Sequence, residues 1–169
     1  TVHGHAWRMK FVGANINPRL EAGRRKQHHL NYFLGNDPSK WAGEVPCFYD
    51  IAYTDLWPEV NMHWYSEDGM YKYDILLDAG ADHHQIDLAY EGLDGIHLRN
   101  DGALVLGTSV GEVIEMKPVA WYADGAKEKL DCNFVVNGNS VGFSFGAEVD
   151  HSRPIVIDLL LLASTLSGT

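Results

Sequence analysis

The sequence is short of cysteine, of positive charge and of long apolar runs. Its 169 residues include two cysteines, Cys47 and Cys132, and no Cys-x-x-Cys. That spacing excludes a thioredoxin-like site and a cysteine-based zinc knuckle. The pair is a disulfide candidate or two buried thiols, and the residues leave both open. Lys and Arg number 13 against 23 Asp and Glu, a net charge of −10. Nucleic-acid binding by phosphate neutralisation needs the opposite balance. The longest purely apolar run, 159–163, is far too short to insert across a membrane. No basic-then-apolar leader opens the chain. It begins at Thr1, which suggests an excised or processed piece of something longer. Residues 102–111 are glycine-bearing but lack the Lys-Ser/Thr of a phosphate loop. Hydrophobic content of 46% and charged content of 21% suit a folded domain and not disorder.

Helical periodicity is nearly missing, and alternation takes its place. In residues 6–12, Trp7, Met9 and Phe11 share one face while Arg8 and Lys10 share the other. That is a half-buried strand. Further strands are expected at 30–34, 47–56, 60–65, 70–77, 85–90, 95–99, 104–108, 113–116, 119–122, 130–136, 141–145 and 155–162. Turn clusters separate them: 35–39, Ser66-Glu67-Asp68-Gly69, Asp94-Gly95, Asn100-Asp101-Gly102, Asp124-Gly125 and Asn137-Gly138-Asn139. Residues 18–26 read as a solvated loop. The pattern predicts an all-β fold, an antiparallel β-sandwich or barrel-like sheet of about ten to twelve short strands. No repeat or linker divides it, so 1–169 reads as a single β domain.

Nine histidines invite a metal hypothesis. His3 and His5 share a face on a strand and form a chelate candidate. His28-His29 and His83-His84 are adjacent pairs, which a strand directs to opposite faces. His63 and His97 sit in alternating strands and read as packing residues. For calcium, Asp78, Asp82 and Asp87 flank Gly80, but no stretch has the ladder of oxygens that the ion needs. Turn chemistry explains these residues without an ion, so no cofactor and no metal is assigned, with calcium the one ion left open. Gly142-Phe143-Ser144-Phe145-Gly146 matches Gly-x-Ser-x-Gly by letters, yet it lies in a hairpin strand and not at a strand-to-helix elbow. Asp74 and Asp78 are about 13 Å apart along one strand, too far for a glycosidase pair. No catalytic residue is assigned, and the chain is expected not to be an enzyme.

The aromatics remain. Trp64, Tyr65, Tyr71 and Tyr73 fall in one hairpin and are the ligand-binding candidates, an exposed platform for a sugar ring. The plainer reading is cross-strand pairing worth roughly 0.2–1 kcal/mol per pair. Trp41, Trp57 and Trp121 stand beside turns and are expected to cap the core edges.

Several blocks carry a family resemblance. They are 11–15 (Phe-Val-Gly-Ala-Asn), 31–41 (Asn-Tyr-Phe-Leu-Gly-Asn-Asp-Pro-Ser-Lys-Trp), Tyr73-Asp74 with Gly80-Ala81-Asp82, Tyr90-Glu91-Gly92, and Pro154-Ile155-Val156-Ile157-Asp158. In this order they resemble the N-terminal domain of large secreted Bacteroidetes proteins that continue into SBBP-type β-propeller repeats or PKD-like modules and carry a C-terminal sorting domain. Trp57-Pro58-Glu59-Val60-Asn61 departs from that family's usual Tyr-Pro-Gly-Ile-Asp. Leu159 stands where Pro is common. Family members usually have further strands before the segment at His5. The resemblance implies a secreted or cell-surface location and a domain with no established catalytic position.

It implies a non-catalytic structural or adhesive module whose partners are neighbouring modules of the same parent or other copies of itself. Residues 1–27 would be an N-terminal strand and loop lacking preceding strands, with an open sheet edge. Residues 159–169 would run into a following module, with 159–162 a candidate donated strand. The alternative is a carbohydrate-binding module that meets surface glycans through the exposed aromatics.

Overall fold

Alternating side chains produce strands along almost the whole chain. The computed structural model describes residues 3–67, 69–125 and 127–165, and it is all-β with no α-helix among them. Sixteen strands form, more than the ten to twelve expected. They are β1 (Arg8–Phe11), β2 (Arg19–Ala22), β3 (Arg25–Tyr32), β4 (Ala42–Phe48), β5 (Asp50–Trp57), β6 (Val60–Glu67), β7 (Met70–Leu77) and β8 (Leu88–Glu91). Then follow β9 (Gly95–Leu98), β10 (Leu104–Thr108), β11 (Gly111–Glu115), β12 (Val119–Tyr122), β13 (Lys129–Leu130), β14 (Cys132–Asn137), β15 (Ser140–Phe145) and β16 (Ile155–Thr165).

A large sheet has the order β2-β5-β6-β7-β16-β11-β10-β9, with β12 and β13 attached beside β16. A smaller sheet has the order β1-β8-β15-β14. All pairings are antiparallel and no barrel closes. The core lies between the two sheets. Met62, Tyr73, Ile75 and Ile157 from the large sheet meet Leu88, Tyr90, Val141 and Phe143 from the small one. Each such side chain contributes about 1.5–3 kcal/mol of burial. Trp7, Met9 and Phe11 pack against this core as their alternation predicts, and β1 is an edge of the small sheet.

Three expectations are corrected. The apolar run 159–162 is no donated strand: Leu159 pairs with Tyr73, and Leu161 lies between Tyr71 and Glu115, at the centre of the large sheet. A strand with neighbours on both sides and cover on its face reads as a continuous apolar run. Residues 18–26 are not a loop, because Leu20 pairs with Tyr53 in β2 and the chain re-enters β3 at Arg25. The strand expected at 85–90 starts at Leu88, since His83–Gln85 is a 3-10 turn capped by Asp82. The 60–77 hairpin forms with Glu67 opposite Met70, and Gly69 takes φ +80°. Asp68, which the hairpin reading used, lies outside the described residues, as do Thr1, Val2, Ala126 and 166–169.

β2 with β3 and β4 with β5 are the two limbs of one long hairpin. Its proximal half (β2, β5) extends the large sheet. Its distal half (β3, β4) pairs only with itself. The bend is at Gly23-Arg24 and Tyr49. There the Asp50 side chain accepts from Arg24 N (3.1 Å), and Tyr49 N donates to Arg24 O (2.9 Å). A Cβ on Gly23 would meet Asp50 Oδ2 at 1.9 Å, so any larger residue here must displace the Asp50 carboxylate from Arg24 N. Every residue from 27 to 44 is exposed.

Candidate functional site

The four aromatic candidates part company in three dimensions. Trp64 and Tyr73 are opposed in β6 and β7 and stack at 4.4 Å, but Tyr73 is 0% exposed and cannot meet a ligand. The platform of Tyr65, Tyr71 and Tyr73 is therefore corrected. Tyr71 stays 67% exposed near the hairpin end, whereas Tyr65 is half-buried on the other face, stacked on His63 at 5.2 Å. Trp64, Tyr65 and Tyr71 do border one open cleft of about 410 Å³, together with Lys26, Phe48, Tyr49, Asp50 and Ser66. That cleft is the angle between the projecting arm and the large sheet. Asp50 is held below the usual carboxylate range, chiefly by the hydrogen bond from His63 and then by Arg24 N.

The cysteines form no disulfide. Cys47 is half-buried in β4 and Cys132 buried in β14, on different sheets. Burial, and then the charge of Asp131, push the Cys132 thiol up to about 12, so it is inert at neutral pH. Trp57 is inside the core and donates to Val12 O at 2.9 Å. Trp41 caps nothing in the core. It lies 43% exposed at the arm tip against Phe33, with ring centroids 5.5 Å apart.

Tyr73 leads instead to a buried polar pin. Its hydroxyl donates to Glu115 Oε2 at 3.1 Å, and Tyr90 from the facing sheet donates to Oε1 at 2.9 Å. Glu115 is 0% exposed. Burial raises its carboxyl to about 7 despite the two hydroxyls, which favour the anion. Burial, and then the charge of Glu115, push both tyrosines well above their ordinary range.

The adjacent histidines give the larger surprise. On the 3-10 turn successive side chains are about 120° apart, not 180°, and the His83 and His84 rings lie 4.0 Å apart. Asp82 caps the turn and accepts from His84 N (2.9 Å) and His84 Nδ1 (2.8 Å), which hold its carboxyl low. His151, from the loop before β16, lies nearly parallel to His83 at 5.4 Å. His151 Nδ1 donates to Ala81 O at 3.0 Å. His83 is 5% exposed, and burial, then the charges of His84 and His151, lower its pKa. Its Nδ1 has no hydrogen-bond partner among the described residues, nor has Asp87 Oδ1. His83, His84 and Asp87 border a cleft of about 310 Å³, and His83, His84 and His151 a second of about 260 Å³. Asp82 ahead of a short polar stretch was a legible cap signal, but nothing local connects His151 to it.

The family described as "Domain of unknown function (DUF7948)" matches residues 1–158. The chain belongs to that family. Comparison with curated proteins and with solved structures gives no match. The DUF7948 match thus spans β1 to β15, the arm and the histidine cluster, and stops after the first four residues of β16.

The remaining candidates of this domain stay apart. His5 is engaged by Ser109 Oγ and Gly92 O, away from any chelate with His3. His63 bonds Asp50, and His97 is exposed on β9 and not packed. Ser144 is in β15, as read, and makes no hydrogen bond to His83 or His84 among the described residues. Asp78 accepts from Asn61, while Asp74 accepts from Tyr65 and lies opposite Asp158, so the two are separately engaged. Asp101 serves its own turn, accepting from Ala103 N and Arg99.

Proposed function

We propose that this domain is a non-catalytic structural module of a secreted or cell-surface bacterial protein, and that it assembles with other copies of itself through the β3–β4 arm. The arm carries this reading. An isolated two-stranded ribbon is marginal in water, yet this one exposes Leu30, Tyr32, Phe33 (62%), Leu34 (72%) and Trp41. Contiguous exposed apolar surface marks an interaction site. Charge supports a second copy as the occupant. Residues 24–48 hold four basic side chains, Arg24, Arg25, Lys26 and Lys40, against Asp37 and Glu44. The arm is thus +2, and the remainder of a chain of net −10 is −12. A basic apolar arm complements an acidic body. Export rests on the resemblance to secreted Bacteroidetes proteins, with neighbouring modules of the parent as further partners.

The test is mass by light scattering across a concentration series at low and high salt. The wild-type chain is expected to grow beyond 18.9 kDa with concentration, and less so at high salt. The Phe33→Ser/Trp41→Ser variant is expected to remain a monomer with unchanged thermal unfolding, because neither ring touches the core. A constant monomer mass for the wild-type chain rejects the reading.

The arm-base cleft favours a second reading, carbohydrate binding. Trp64 and Tyr71 supply faces for a sugar ring, and Asp50 and Lys26 supply hydrogen bonds. Saturable binding on a glycan array, weakened about tenfold or more by Tyr71→Ala, is the expected result. Tyr71 is the cleaner probe because Trp64 also supports buried Tyr73. An array without a hit removes the reading.

A further inference from the structure

We propose that Asp82, His83, His84 and His151 form a site for a zinc-class divalent cation that clips the 82–85 turn to the loop before β16. The donor set is imidazole plus carboxylate, which suits zinc and its neighbours. Calcium wants six to eight oxygens.

Geometry supports the assignment. One ligand atom each from Asp82, His83 and His84 lies within 4.8 Å of the others. His151 stands outside that group, its ring centroid 5.4 Å from that of His83, and would swing in as the fourth ligand. Two ligands on tetrahedral zinc are roughly 3.3 Å apart, given bonds of about 2.0–2.1 Å. Asp82 and His84 are exposed and close the difference by rotation, giving up the bond between Asp82 and His84 Nδ1, whereas His83 is fixed in the wall. With His151 Nδ1 committed to Ala81 O, its Nε2 is the nitrogen left for a metal.

The independent observation is His83 itself. It is 5% exposed, borders both clefts and has a buried Nδ1 with no partner among the described residues. Leaving such an atom unpaired is costly, and a bound cation would give it a partner. Asp87 Oδ1, also unpartnered, borders one of the same clefts. The two loops already touch through Gly80 N to His151 O at 2.6 Å. A metal would fasten segments about 68 residues apart in sequence, the work that an absent disulfide would do elsewhere.

The test is calorimetric titration of Zn²⁺ into the untagged full chain, with Ca²⁺ as the comparison ion. The wild-type chain is expected to bind one equivalent of Zn²⁺, to ignore Ca²⁺, and to gain thermal stability in excess zinc. His84→Ala, which removes an exposed ring, is expected to weaken zinc binding more than about 100-fold. Asp82→Asn keeps the turn cap and is expected to weaken it about tenfold or more. His97→Ala is expected to change nothing. Circular dichroism of the metal-free variants establishes that they fold. Absence of zinc binding by the wild-type chain, undiminished binding by His84→Ala and Asp82→Asn, or equal loss in His97→Ala overturns the assignment.

Discussion

Glu115 is a carboxylate shared by the two sheets, through Tyr73 of one and Tyr90 of the other. The folded protein holds its proton more tightly than the unfolded chain, with a pKa raised from 4.5 to about 7 by burial. The stabilisation from this group is therefore complete below about pH 4.5 and is lost as pH rises through about 7. At about 1.4 kcal/mol per pH unit, the loss across that window is about 3 kcal/mol. Urea unfolding at pH 5 and pH 8 is expected to show this fall in the wild-type chain and not in Glu115→Gln. Parallel pH profiles for the two proteins would refute it. No local signal singled out Glu115. Its strand, Gly-Glu-Val-Ile-Glu, carries two acids, Glu112 and Glu115, and only the crossing of β7, β8 and β11 surrounds the second with tyrosine hydroxyls.

At the scale of elements, turn chemistry decides more than strand propensity. Trp57 pairs with Val60, so Pro58 and Glu59 are the whole turn between β5 and β6. Glu59 takes φ +60°, a conformation that costs a side-chain-bearing residue about 1–2 kcal/mol and glycine little. Glu59→Gly loses some unfolded-state restriction in return. The net expectation is a gain of up to about 1 kcal/mol, or a Tm higher by roughly 2–4 °C in a scan. An unchanged or lower Tm would mean that the Glu59 side chain contributes contacts worth as much as the strain. The strands themselves were largely legible, because period-two alternation survives wherever one face is covered. The arm was not. Residues 25–32 are a strand by pairing and a loop by exposure, so their composition is polar and carries no alternation. The adjacent histidines escape the strand rule for a related reason: Asp82 caps their segment into a 3-10 turn, where neighbouring side chains converge.

For the whole molecule, the asymmetry between arm and body matters most. A hairpin of this length would ordinarily complete the sheet. Here it bends at Gly23 and Tyr49 and presents its distal half to solvent, where none of the described residues covers it. The mass measurement on the arm variants belongs to this scale, since it asks whether the arm's cover comes from another copy.

The sequence by itself determined the all-β class, most strand positions, the hairpin turns and the acidic charge, because all of these follow from local periodicity and composition. Tertiary structure alone decided the rest. It made 159–162 a central strand, kept Cys47 and Cys132 apart, buried Tyr73 while leaving Tyr71 in water, and brought His151 to His83. Each of these depends on which distant strands become neighbours. That choice is made by the summed burial of the two sheets against each other, a quantity that no short stretch of residues contains.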